Sequence, residues 1–167
     1  MGKLKALFQD YGLTRQTKRV RVQVIRPVFT REVVREKMPA YLATDRFTTP
    51  SQVYEMFSEL IQETKEHFLA LHLDGKNRII CLDRVSIGSL NQSIVHPREV
   101  FKSAVLSSAS ALILVHNHPT GDPSPSSEDI QITRRLREAG TLLGIAVLDH
   151  IIIGNGEYCS FVEKGLL

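Results

Sequence analysis

At 167 residues, with 43% hydrophobic and 23% charged side chains, the chain is long enough for one ordinary domain with a real core and short for two. No apolar run approaches the ~20 residues of a membrane helix. The N-terminal MGKLKALFQDYG carries neither a long apolar stretch nor a small-residue cleavage site, which points away from membrane and secretion and toward the cytoplasm. The net charge of +3 is unevenly placed: residues 1–40 hold ten Lys/Arg against three Asp/Glu, a net of +7, and residues 41–167 hold eleven against fifteen, a net of −4.

The basic character centres on RQTKRVRVQVIR (15–26), a segment suited to contact with DNA or another polyanion. A solvated edge strand kept from aggregating by its lysines and arginines accounts for the same residues. In KRVRVQVIRPVF, Val20, Val22 and Val24 alternate with Arg19, Arg21 and Gln23, the period of a half-buried strand ended by Pro27. TREVVREKMPAYL reads as a short helix closed by Pro39, and ATDRF as a linker. The chain therefore divides into a basic N-terminal extension, 1–44, and a main domain, 45–167.

TTPSQVYEMFSELIQETK opens with Thr49 as N-cap and Pro50 at the first helical position, and Val53, Met56, Phe57, Leu60 and Ile61 give it one apolar face. EHFLALHLD is a strand, GKN a hairpin turn and RIICLDRVSIG a second strand. HPREVFKSAVLSS is a helix with proline at its start. ASALILVHNH is a buried strand that ends in two histidines. A proline-rich loop leads to the helix SSEDIQITRRLREAGTLLG, with Ser126 as N-cap and Gly140 or Gly144 near its end. IAVLDHIIIGNGEYCSF supplies one or two last strands, turning at Gly154–Gly156. The order β-β-α-β-α-β predicts an α/β fold, a mixed sheet flanked by helices in a three-layer-like arrangement.

Chemistry concentrates in HNHPTGDPSPSSED (116–129). His116 and His118 stand at i and i+2 where a strand ends, so both imidazoles point to one side of the sheet. Asp129 follows in the first turn of the next helix, and Pro119, Pro123 and Pro125 stiffen the loop that returns it toward the histidines. Two imidazoles and one carboxylate make three ligands and leave a fourth tetrahedral position open, the signature of a catalytic zinc. Ser126 and Asp129 also have the spacing of a capping box, and the two duties are compatible.

The pattern H-x-H-x7-S-x-x-D is the core of the JAMM motif, and residues 95–154 closely resemble the RadC-like branch of the JAB/MPN metalloprotease superfamily, with weaker resemblance across 47–167. The resemblance implies a JAB/MPN architecture akin to the cytidine-deaminase fold. It implies a zinc ion (Zn2+) held by His116, His118 and Asp129, and hydrolysis of a peptide or isopeptide bond in a substrate the sequence does not identify. Ser126 would stabilise the oxyanion, and Glu66, heading EHFLALHLD, matches the superfamily's upstream general base. Glu63, a solvated helix residue, and Glu99, beside a helix N-terminus, are the competing acids.

Asn117 stands between the histidines, as is usual in the RadC-like branch. A basic strand stands where relatives carry a helix-hairpin-helix module, which weakens any inherited link to DNA. Among the other histidines, His150 fits a core role better than that of a residue orienting a ligand, and His67, His72 and His96 read as structural or surface residues. Cys81 and Cys159 form no CxxC, predict no disulfide and are not ligand candidates. A nucleobase deaminase would need a His/Cys set with P-C-x-x-C, which is absent. A nucleic-acid-associated accessory protein using the basic N-terminus is the second functional expectation.

Overall fold

The computed structural model describes residues 22–25, 28–31, 46–88 and 95–167. Nearly all of the short helix expected over 30–42, and the domain division near residue 45, lie outside them. Over 22–25 the expected half-buried strand is not formed: Val22, Val24 and Ile25 are exposed and belong to no ladder. Alternation makes a strand only where a neighbouring strand completes its hydrogen bonds.

The first helix, α1 (Pro50–Phe57), starts at the expected proline, but Thr49 makes no side-chain cap. Thr48 does the work instead, its N–H and Oγ1 both donating to Gln52 Oε1 at 2.9 and 2.8 Å. The helix tightens into a 3-10 turn, Ser58–Gln62, before the chain enters the sheet. Strands β1 (His67–Leu73) and β2 (Ile79–Ile87) form the hairpin. Its turn is tied by Asp74, whose Oδ1 accepts from the backbone N–H of Lys76 and Arg78. Helix α2 (Pro97–Leu106), strand β3 (Ala111–Asn117), helix α3 (Ser127–Leu143) and strands β4 (Ala146–Ile153) and β5 (Tyr158–Ser160) follow.

The strands lie in the order β2-β1-β3-β4-β5, with β3 and β4 parallel and the other pairs antiparallel. Alternation along β1 and β3 sends Phe68, Ala70, Leu112 and Leu114 to one face, against Val100 and Phe101 of α2 and Ile132 and Leu136 of α3. Leu69, Leu71, Ile113 and Val115 go to the other face, against Val53 and Phe57 of α1. The fold is therefore α/β with helices on both faces of one mixed sheet, in three layers. Each fully buried Leu, Ile or Phe contributes ~1.5–3 kcal/mol. Among the described residues no helix is long and apolar enough to cross a membrane.

Candidate metal centre

His116 lies on the last turn-out of β3 toward α3, fully buried, and pairs across the sheet with Phe68 of β1. Two residues on, His118 leaves the strand with its N–H held by the Ile153 carbonyl at 3.0 Å, so its ring falls on the same side. The loop then turns back: Gly121 N–H donates to the His118 carbonyl, and Asn155 N–H to that of Gly121. Ser126 caps α3 and Asp129 sits in its first turn. Ser126 Oγ accepts from Asp129 N–H at 3.1 Å, while Asp129 Oδ2 accepts from Ser126 N–H and Oγ at 2.8 and 2.6 Å.

These elements bring three ligand atoms together. His116 Nε2 lies 3.0 Å from His118 Nε2 and 3.2 Å from Asp129 Oδ1, and His118 Nε2 lies 3.4 Å from Asp129 Oδ2. Among the described residues this is the one group of three His, Cys, Asp or Glu placed to share an ion. A tetrahedral ion with bonds of ~2.0–2.1 Å separates its ligands by roughly 3.3 Å, so the spacing fits such an ion.

The hydrogen bonds behind the rings decide which nitrogens carry lone pairs. The Asp122 carbonyl can only accept, so His118 Nδ1, 2.8 Å away, donates to it and Nε2 keeps its lone pair. Thr133 Oγ1 donates to the Asp129 carbonyl at 2.6 Å and therefore accepts from His150 Nδ1, also at 2.6 Å. His150 Nε2 is left to accept from His116 Nδ1 at 2.7 Å, which frees His116 Nε2. Two imidazole lone pairs and a carboxylate thus face one another, an arrangement that needs a cation or a proton at its centre.

The charges agree. Burial first, and only partly offset by Asp129, holds His116 below its ordinary value; burial first, and then the repulsion that a protonated His116 would exert, hold His150 well below, which favours the neutral form of both rings. Burial also works against the charged form of His118, but the hydrogen bonds to Asp129 and the Asp122 carbonyl, with the charges of Asp129 and Glu66, raise it. Burial would lift the Asp129 carboxyl, yet hydrogen bonds from His116, His118 and Ser126 carry it far below the usual carboxylate range. Asp129 is therefore an anion, and His118 is the ring that takes the proton a cation would displace.

Glu66 is half-buried immediately ahead of β1, with its carbonyl held by Gly88 N–H at 2.9 Å. Its charge acts on both His116 and His118. The competing acids are engaged elsewhere: half-buried Glu99 pairs with Lys102 and Arg98 on α2, and exposed Glu63 pairs with His67. His96 caps α2 and buried His72 bonds Ser107. The free thiol of Cys81 lies 3.3 Å from His72 Nδ1, and neither cysteine joins the triad. The sequence assigns His150 a core role, yet that residue bonds the ring of the candidate ligand His116 directly; the sequence does not single out Thr133, and it names Asn117 without a role. A buried polar residue beside a motif is the signal that could have found the last.

The family model for the RadC-like JAB domain matches residues 47–166. Similar proteins include the UPF0758 protein of Geotalea uraniireducens, 68% identical over 124 residues that cover 74% of this chain and 54% of the relative. The UPF0758 protein of Pelobacter propionicus is 69% identical over the same shares, and that of Methanosarcina mazei 54% identical over 123 residues, 73% of this chain and 54% of the relative. The chain spans about half the length of the curated relatives it matches. A three-layer α/β fold, a buried His-His-Asp cluster fitted to a metal ion and a family match over most of the chain lead to one statement: the chain belongs to the RadC-like JAB domain family.

Proposed function

We propose that the chain is a zinc-dependent metallopeptidase that hydrolyses a peptide or isopeptide bond. The observation that carries this reading is the convergence of two imidazole lone pairs and the Asp129 carboxylate on one point, with every ring proton directed away from it. Imidazole and carboxylate ligands with an open fourth position suit zinc, which supplies a Lewis acid and a water of lowered pKa. Glu66 accepts a proton from the attacking water and delivers it to the leaving nitrogen as the C–N bond breaks. Ser126, whose hydroxyl stands beside the ligand set at 2.6 Å from Asp129 Oδ2, would donate to the carbonyl oxygen as negative charge develops there. A donor of this kind contributes about 3 kcal/mol.

Protein purified without chelator is expected to carry about one zinc per chain. Glu66→Gln keeps the shape and loses the proton acceptor, so it should retain zinc and lose ~10²–10⁴-fold in turnover on a screened peptide library, whereas His118→Ala loses both. Zinc near zero under gentle purification overturns the enzyme reading, and full activity in Glu66→Gln removes Glu66 from it.

A second reading, a nucleic-acid-associated accessory role for the basic segment 15–26, is favoured by the charge division and by the exposure of Val22, Val24 and Ile25. The two readings are compatible.

A further inference from the structure

We infer that Asn117, the residue between the two histidine ligands, is the positioning residue that holds Glu66 at the metal site. The inference rests on the proposed role of Glu66 as base. Asn117 ends β3 fully buried, and strand alternation turns its side chain away from His116 and His118, toward the α1 side where Ile113 and Val115 also point. There its amide is completely used. Oδ1 accepts from His67 N–H at 2.8 Å, and Nδ2 donates to the Lys65 carbonyl at 3.1 Å and the Leu60 carbonyl at 3.0 Å.

The choice of partners is what matters. The Lys65 carbonyl belongs to the peptide unit preceding Glu66, and the His67 N–H to the one following it. One side chain therefore fixes both peptide planes flanking Glu66, and its second donor ties the same clamp to Leu60 in the middle of the 3-10 turn. Gly88 N–H, holding the Glu66 carbonyl, completes the frame. With φ and ψ of Glu66 fixed, its Cα–Cβ bond has one direction. The backbone of residue 117 also carries the two ligands, so the base-to-metal geometry is set through a single residue. Displacements of about 1 Å at such a site cost ~10²-fold in rate.

Asn is suited to this by having one acceptor and two donors in a plane. Serine is too short to span the clamp, and aspartate keeps the acceptor for His67 while placing a second oxygen against two carbonyls.

The test uses the whole 167-residue chain loaded with Co2+, a paramagnetic substitute, and labelled with 13C at glutamate carboxyl carbons. Glu66 is assigned by its loss in Glu66→Gln. In the wild type the Glu66 signal should be strongly broadened by the metal. In Asn117→Ser, Co2+ still binds at about one per chain through His116, His118 and Asp129, the broadening of Glu66 falls several-fold, and the His67 amide exchanges about tenfold faster, as for loss of one hydrogen bond. With a substrate in hand, kcat falls ~10²-fold and KM is unchanged.

Lowered thermal stability with Glu66 still fully broadened would make Asn117 merely structural and overturn the inference. A wild type whose Glu66 is not broadened would instead overturn the reading of Glu66 as base, so the two failures are distinguishable. If the serine variant does not fold, Asn117→Asp takes its place with the same expectation. If neither folds, the wild type decides: a His67 amide exchanging faster than the β1 amides after it overturns the clamp.

Discussion

A histidine binds a metal only if its proton is on the other nitrogen, and at His116 that choice is made by His150 and Thr133. The His150 ring is held between Phe161, stacked with centroids 4.7 Å apart, and Phe68, edge-on at 5.5 Å. It can neither turn nor gain a proton readily in that apolar slot. His150→Phe fits the same slot and removes the acceptor for His116 Nδ1. The expected outcome is a folded protein with metal affinity lowered by about 10–100-fold, the usual cost of losing an outer partner of a ligand. Thr133→Val should act in the same direction and less, because His150 keeps its ring but loses the oxygen that sets its tautomer. Zinc competition against a calibrated chelator measures both, and unchanged affinity in His150→Phe would show that the relay does not set the ligand.

At the scale of elements, the site is a meeting of ends: the exit of β3, the start of α3 and the β4–β5 turn. Helix α3 is punctuated at both ends, by the Ser126–Asp129 capping box and by Gly144 in the left-handed conformation at φ 70°. Its N-terminus also favours the Asp129 anion. The loop between β3 and α3 is braced against Gly154, where a Cβ would stand 2.6 Å from both the Gly121 carbonyl oxygen and Pro123 Cδ. Gly154→Ala must therefore push away the loop carrying His118 and its Asp122 anchor. We expect it to cost about 1–3 kcal/mol in stability, as overpacking does. It should also weaken zinc retention by about tenfold, at the lower end of outer-partner losses. Gly156→Ala is the control: it strains a positive φ of 80° but meets nothing within 4 Å, so it should lower thermal stability and leave zinc affinity intact. Equal zinc affinity in the two variants would show that the brace is not part of the site.

Over the whole molecule, helices on both faces leave the central strands β1 and β3 buried on each side, which anchors the ligand-bearing end of β3 in a rigid layer. The net positive charge is concentrated in the first quarter of the sequence. If residues 15–26 contact DNA, their five Lys/Arg give a binding constant that falls about 10²–10³-fold between 50 and 200 mM salt. Reversing Arg19 and Arg21 to Glu should abolish low-salt retention on duplex DNA and leave the zinc content untouched. Retention equal to wild type would confine the segment to a structural role.

Much of this was legible in the chain because the relevant signals are local. Short continuous apolar runs such as FLALHL and ALILVHN, bounded by turn signals, mark strands buried on both faces, proline and Ser-x-x-Asp mark helix starts at the orphan N–H positions, and an i, i+2 histidine pair on a strand shares a face. The His-His-Asp set was legible from its spacing together with the resemblance to the JAMM motif. What only the tertiary structure decided depends on partners distant in sequence. The parallel pairing of β3 with β4 shifts register after Leu112, which pairs with Val147 while Ile113 pairs with Asp149. Leu148 is bulged out, and a one-residue slip exchanges the faces of every residue beyond it. That slip puts His150 on the side of His116 and makes it a hydrogen-bond partner of that candidate ligand instead of an ordinary core histidine. Asn117 likewise reveals its task only once α1 and the approach to β1 are folded against it. Local periodicity fixes which residues face the core; register and crossover decide which of them meet.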